Sequence, residues 1–141
     1  MLKKLFIVDD DEISVFLTEA ILERMGFNER VESFLDPVKA LSEILKTLRQ
    51  NPNDDYLIFL DLNMPVMSGW DFLESLSAYE EQLAGRCHVV ILSSAVDGRE
   101  ISRSAQHPMV LNFVPKPLDE TAIELIMEML NENGKRHSVE R

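Results

Sequence analysis

The sequence predicts an α/β fold in which helices cover both faces of a parallel β-sheet within one domain. Three observations carry that reading. Short apolar runs alternate with stretches of helical period, five times over. The stronger runs, Leu5 to Val8, Tyr56 to Leu60 and His88 to Leu92, are nearly continuous rather than alternating, as in strands buried on both faces. Each strand is separated from the next by a helix-length connection, which parallel neighbours require and which crosses over right-handed.

Taken in order, Leu5, Phe6, Ile7 and Val8 form a first strand, followed at once by Asp9, Asp10, Asp11 and Glu12. A helix then places Ile13, Phe16, Leu17, Ala20 and Ile21 on one face, which is expected to be the buried one, and Gly26 ends it. Arg30 to Phe34 is a weak, mixed strand suited to a sheet edge. Asp36 caps a second helix with Pro37 at its first position, and Val38, Leu41, Leu45 and Leu48 give its buried stripe. Tyr56 to Leu60 is the central strand and ends on Asp61. Pro65 and Gly69 punctuate the loop beyond it. Phe72, Leu73 and Leu76 mark a third helix that runs to about Leu83, with Gly85 ending it. Asp61 lies too far upstream to cap that helix; Ser68 is placed for the task. His88 to Leu92 is a fourth strand, closed by Ser93 and Ser94. Asp97 opens a short helix whose apolar pair is Ile101 and Ala105. Val110 to Val114 is a fifth strand, closed by Pro115, Lys116 and Pro117. Asp119 caps a last helix carrying Ile123, Ile126, Met127 and Leu130. The domain is expected over residues 1–133, with 134–141 a polar, frayed tail.

Composition narrows the function classes. A chain of 141 residues with 45% apolar content suits one globular domain with a proper core. A formal net charge of -11 disfavours nucleic acid and anionic membrane surfaces. A single cysteine, Cys87, excludes an internal disulfide, fits a reducing compartment, and reads as a small core residue. No stretch is long and apolar enough for membrane insertion, so a cytoplasmic protein is expected. His88, His107 and His137 are scattered and suggest no metal site.

The ends of the strands carry the chemistry. The first ends on Asp9 and Asp10, the third on Asp61, the fourth on Ser93 and the fifth near Lys116. In an open parallel sheet, that edge is where ligands bind. Each residue alone has a plainer role: acidic groups favour a helix start, serine a turn, lysine a solvated loop. Together they form a cluster in which close carboxylates repel unless one stays protonated or a cation intervenes. Oxygen ligands without histidine or cysteine suit Mg2+, or Mn2+ in its place. Magnesium is commonly completed by phosphate oxygens, so a phosphoryl ligand is expected. Lys116 and Ser93 can then serve the phosphoryl oxygens, and a carboxylate can act as nucleophile to form an aspartyl phosphate.

These residues resemble the receiver domain of two-component response regulators. The matching segments are Ile7 to Glu12, Leu60 to Gly69, Ile91 to Ser94 and Phe113 to Pro117, within a similarity spanning about Lys3 to Asn133. The resemblance implies a flavodoxin-like doubly wound fold with strand order 2-1-3-4-5. It implies Asp61 as phosphoacceptor, taking its phosphoryl group from a histidine kinase or phosphotransfer protein. It implies magnesium held by Asp10, Asp61 and the backbone carbonyl of Asn63, with Asp9 acting through water. Ser93 and Lys116 match the phosphoryl-binding and switch positions, Phe113 the aromatic switch, and Pro117 is expected to follow a cis bond. The face made by the fourth helix, fifth strand and fifth helix would then bind a downstream protein partner, with a phosphorylation-dependent homodimer as a further expectation. Serine at 93 lacks the methyl of the commoner threonine, and Phe113 lacks a hydroxyl. The resemblance implies a stand-alone single-domain regulator that catalyses only its own phosphorylation and dephosphorylation. Two other readings stand beside it: a scaffold receiver that binds without phosphorylation, and a small magnesium-dependent phosphohydrolase. The second is disfavoured because Asn63, near the nucleophile, offers an amide where a leaving group needs an acid.

Overall fold

The structure is a computed structural model that describes residues 2–27, 30–83, 85–94 and 97–139. Its elements are β1 (Leu2–Val8), α1 (Glu12–Arg24), β2 (Val31–Phe34), α2 (Pro37–Gln50), β3 (Asp55–Asp61), α3 (Gly69–Ser77), α4 (Glu80–Leu83), β4 (Cys87–Ser93), α5 (Gly98–Ala105), β5 (Val110–Pro115) and α6 (Glu120–Val139). The strands form one five-stranded sheet in the order β2-β1-β3-β4-β5, with every pairing parallel. This is the expected doubly wound, flavodoxin-like arrangement. The predicted fourth and fifth helices are α5 and α6.

Alternate residues along the central strands face opposite layers, as the period of a strand requires. Phe6, Val8, Ile58 and Leu60 join Ile44 and Leu48 of α2 and Phe72 and Leu76 of α3 in one core cluster. Leu5, Ile7, Leu57 and Phe59 join Leu22 of α1 and Ile123 and Ile126 of α6 in the other. Most helix starts are as the sequence reads them. Asp36 accepts from the N–H groups of Val38 and Lys39, Asp97 from Arg99, and Asp119 from Ala122. Ser68 and Asp71 form a reciprocal capping box at α3. Gly26 takes a φ of 89° just past α1, a conformation that costs glycine little.

Four local expectations are corrected. In α1 the packed residues are Val15, Thr18 and Leu22, whereas Ile13, Phe16 and Leu17 are 72%, 67% and 51% exposed. Thr18 can face the core because its hydroxyl donates to the Ser14 carbonyl at 2.9 Å, leaving nothing polar unsatisfied. In α5 the buried residue is Ser104, while Ile101 and Ala105 are exposed; again the hydroxyl is satisfied by its own helix, at the Ile101 carbonyl. In α2, Ala40 and Ile44 are buried and Val38 is half exposed. The third helix stops at Ser77, because the Tyr79 N–H bonds three residues back to Leu76 and a new turn, α4, starts from the Tyr79 carbonyl. Helix α6 runs from Glu120 to Val139.

The α1 correction is directly measurable. Leu22→Ala should lower unfolding stability by about 2–5 kcal/mol through the cavity it leaves. Phe16→Ala should stay within about 0.5 kcal/mol. Urea unfolding midpoints check the ranking, which would invert if the stripe read from the sequence were the packed one.

Candidate functional site

Parallel registry brings the strand ends together. Val8 pairs with Leu60, so Asp9 follows beside Asp61; Asp61 pairs with Leu92, so Ser93 comes next; Ser93 pairs with Pro115, and Lys116 follows. The Lys116 N–H donates to the Ser93 carbonyl at 2.8 Å, carrying the pairing one residue further. The Lys116–Pro117 peptide is cis, as expected. The Lys116 ammonium lies 2.7 Å from Asp9 Oδ2 and 3.5 Å from Asp61 Oδ1. The other Asp9 oxygen, Oδ1, accepts from the Asp11 N–H at 3.0 Å. Asp9, Asp61 and Ser93 are buried; Asp10 is exposed at the mouth.

The loop after Asp61 is pinned by Gly69. Its N–H donates to the Leu62 carbonyl at 3.0 Å. A Cβ at this position would stand 2.6 Å from the Asp61 carbonyl oxygen and 2.8 Å from Leu62 Cα. Only a residue without a side chain allows the start of α3 to close this tightly on the strand end.

Electrostatics single out Asp61. Its pKa is raised to about 6, first by burial and then by the neighbouring Asp9 charge. Lys116 and the Asn63 N–H act in the opposite direction without cancelling the effect. Carboxylate oxygens of Asp9, Asp10 and Asp61 all lie within 4.8 Å of one another. Three carboxylates and one ammonium leave an excess of negative charge equal to that of one divalent cation. The donors are hard oxygens, with one carboxylate open to solvent, so the residues present fit magnesium.

The structure thus places Asp9, Asp10, Asp61, Ser93 and Lys116 at one sheet edge. Phe113 lies three residues before Lys116, half-buried against the core cluster that contains Leu60. Asn63 is exposed, and its N–H bonds the Asp61 carboxylate. The resemblance pointed to the carbonyl of Asn63, not to this donor. Asp11 has the plainer role: it caps α1, accepting from Ile13 and Ser14. Two features escaped the sequence reading. One is the close approach of Gly69, for which the only signal was a glycine opening a helix. The other is the exposure of the large apolar side chains Ile13, Phe16, Leu35, Val38 and Val66.

Comparison with known proteins agrees with this geometry. A family model described as the response regulator receiver domain matches residues 5–128. An uncharacterised response regulatory protein of Staphylococcus epidermidis is 28% identical over 127 residues, covering 90% of this chain and 46% of its own length. The chain therefore spans about half the length of that curated relative. A response regulator receiver protein from Dyadobacter fermentans superposes with a TM-score of 0.77 at 27% identity, covering 89% of this chain and 96% of that one. A two-component response regulator from Cytophaga hutchinsonii gives a TM-score of 0.74 at 26% identity, covering 92% and 98%.

The raised Asp61 value has a stability consequence. Below about pH 4 the folded and unfolded chains both hold the proton, and the site costs nothing. From there to about pH 6 the unfolded chain releases its proton first, so stability falls as pH rises; above that the full cost stands. Without divalent cations at pH 7.5, Asp61→Asn should be more stable than wild type by on the order of 1–3 kcal/mol, and the gain should vanish near pH 4. Urea unfolding at the two pH values measures it. A variant no more stable at pH 7.5 would contradict the electrostatic reading.

Proposed function

Because the chain belongs to the response regulator receiver domain family, we propose that it is a phosphorylation-dependent binding module in which Asp61 is the phosphoacceptor. The observation that carries this reading is the Lys116 ammonium held between Asp9 and Asp61, beside a buried carboxylate whose charge the site only partly offsets. An Oδ of Asp61 attacks the phosphorus of a phosphohistidine on a histidine kinase or phosphotransfer protein. The O–P bond forms as the N–P bond breaks, and the imidazole leaves with a proton from solvent. Asp9, Asp10 and Asp61, with the Asn63 carbonyl, would hold Mg2+, which supplies positive charge to the phosphoryl oxygens when bound. Lys116 then turns from a carboxylate partner to a phosphoryl oxygen, and the buried Ser93 hydroxyl donates to another.

Transfer of Lys116 and Ser93 to the phosphoryl group biases Phe113 inward and alters the α5–β5–α6 face. That is a population shift driven by one local charge event. A downstream protein partner reads that face, or a second copy does so in a phosphorylation-dependent dimer. The domain acts in the cytoplasm and catalyses no reaction other than on its own Asp61. No helix among the described residues is long and apolar enough to cross a membrane.

Incubation with acetyl phosphate and magnesium, followed by intact mass measurement, tests the proposal. Wild type should gain one labile phosphoryl group; omission of magnesium or the Asp61→Asn change should abolish it. No adduct under conditions where magnesium binds would remove the phosphoacceptor reading and favour a scaffold that works without phosphorylation.

A further inference from the structure

Helix α5 is poorly anchored by its own sequence. Among its described residues only Ser104 is buried, and Ile101 is 38% exposed. Apolar burial therefore does little to hold it, and such elements open or shift at low cost. Beside its packing on β5, two side-chain contacts tie this region to α3. The Arg103 guanidinium lies over the ring of Trp70, 4.1 Å from its centroid. Just beyond α5, His107 Nε2 lies 2.7 Å from the Ser77 hydroxyl, while its Nδ1 accepts from the Met109 N–H.

The two ends of the Arg103–Trp70 contact differ in stiffness. Trp70 directly follows Gly69, whose backbone is pressed against the Asp61 carbonyl and bonded to Leu62. Its ring also packs on the core cluster that receives Phe113. Trp70 is therefore a fixed post built on the acceptor strand, and Arg103 is the hook on a loosely held helix. The contact coexists with Lys116 bridging Asp9 and Asp61, an ion-pair arrangement that a phosphoryl group on Asp61 would break up.

We propose that the Arg103–Trp70 stack is a restraint that holds α5 against α3 in the unphosphorylated arrangement, and so sets how readily the domain switches. The proposal rests on Asp61 being the phosphoacceptor, and it adds a control point separate from Ser93 and Phe113. Movement of Ser93 toward a phosphoryl group draws the end of β4 inward while Arg103 keeps α5 on its post. Releasing the hook lowers the cost of the switched arrangement. By linkage, it must tighten binding of anything that prefers that arrangement.

Beryllofluoride, a phosphoryl mimic, provides the probe, with its affinity measured by calorimetry in saturating magnesium. Arg103→Ala and Trp70→Phe should each bind it more tightly than wild type, on the order of 3- to 10-fold for the arginine change. Arg103→Lys, which keeps a cation, should fall between, and the double variant should gain little beyond Arg103→Ala. Arg103 is exposed, so its truncation leaves both core clusters intact. Affinities equal to or weaker than wild type in the folded variants would show that the stack is packing only and overturn the restraint. Failure of wild type itself to bind would overturn the phosphoacceptor reading and the restraint with it.

Discussion

The Lys116 ammonium holds together a cluster that would otherwise repel itself. Asp9 and Asp61 are both buried at adjacent strand ends, and Asp10 stands at their mouth. A lone buried carboxylate beside another would lose its charge well above its usual range. Lys116, 2.7 Å from one and 3.5 Å from the other, limits that effect but leaves Asp61 raised to about 6. The site is thus biased toward further positive charge and toward a ligand that brings its own hydrogen-bond acceptors. Magnesium and a phosphoryl group meet both needs, which is why the proposed chemistry follows from the electrostatics as well as from family membership.

The fold supplies what that cluster needs. Parallel pairing in the order β2-β1-β3-β4-β5 sets β1, β3, β4 and β5 side by side, so their carboxylate, hydroxyl and ammonium groups arrive at one edge with fixed spacing. Two apolar layers hold those strands rigid. The Gly69 approach locks the loop beyond Asp61 to the helix that follows. Helix α5, on the β4–β5 side, has little apolar anchorage: it buries a serine where α1, α2 and α3 bury leucine. A stiff acceptor beside a loosely held helix is a reasonable basis for turning one covalent event into an altered surface.

The sequence made most of this visible because its signals were of the kind that chemistry forces. Continuous apolar runs ending on Asp9, Asp61 and Ser93 could only be buried strands delivering polar groups to one edge. Asp36, Ser68, Asp97 and Asp119 read correctly as caps because an N-cap oxygen must meet free backbone N–H groups. The differences in α1 and α5 share one physical cause. Apolar periodicity marks only apolar faces, yet Thr18 and Ser104 take buried positions of α1 and α5 by bonding their hydroxyls to their own helices. Once satisfied in this way, a hydroxyl packs as a small apolar group, and Phe16 and Ile101 are left facing water. Tertiary contacts such as Arg103 on Trp70 join residues remote in sequence and carry no local pattern.

The most direct test of the central claim is to trap the acyl phosphate chemically and map it. After reaction with acetyl phosphate and magnesium, borohydride reduces an aspartyl phosphate to homoserine, and peptide mass spectrometry locates the altered residue. The account predicts homoserine at position 61 alone, with Asp9 and Asp10 unchanged. Homoserine at either of those residues, or at none, would contradict it.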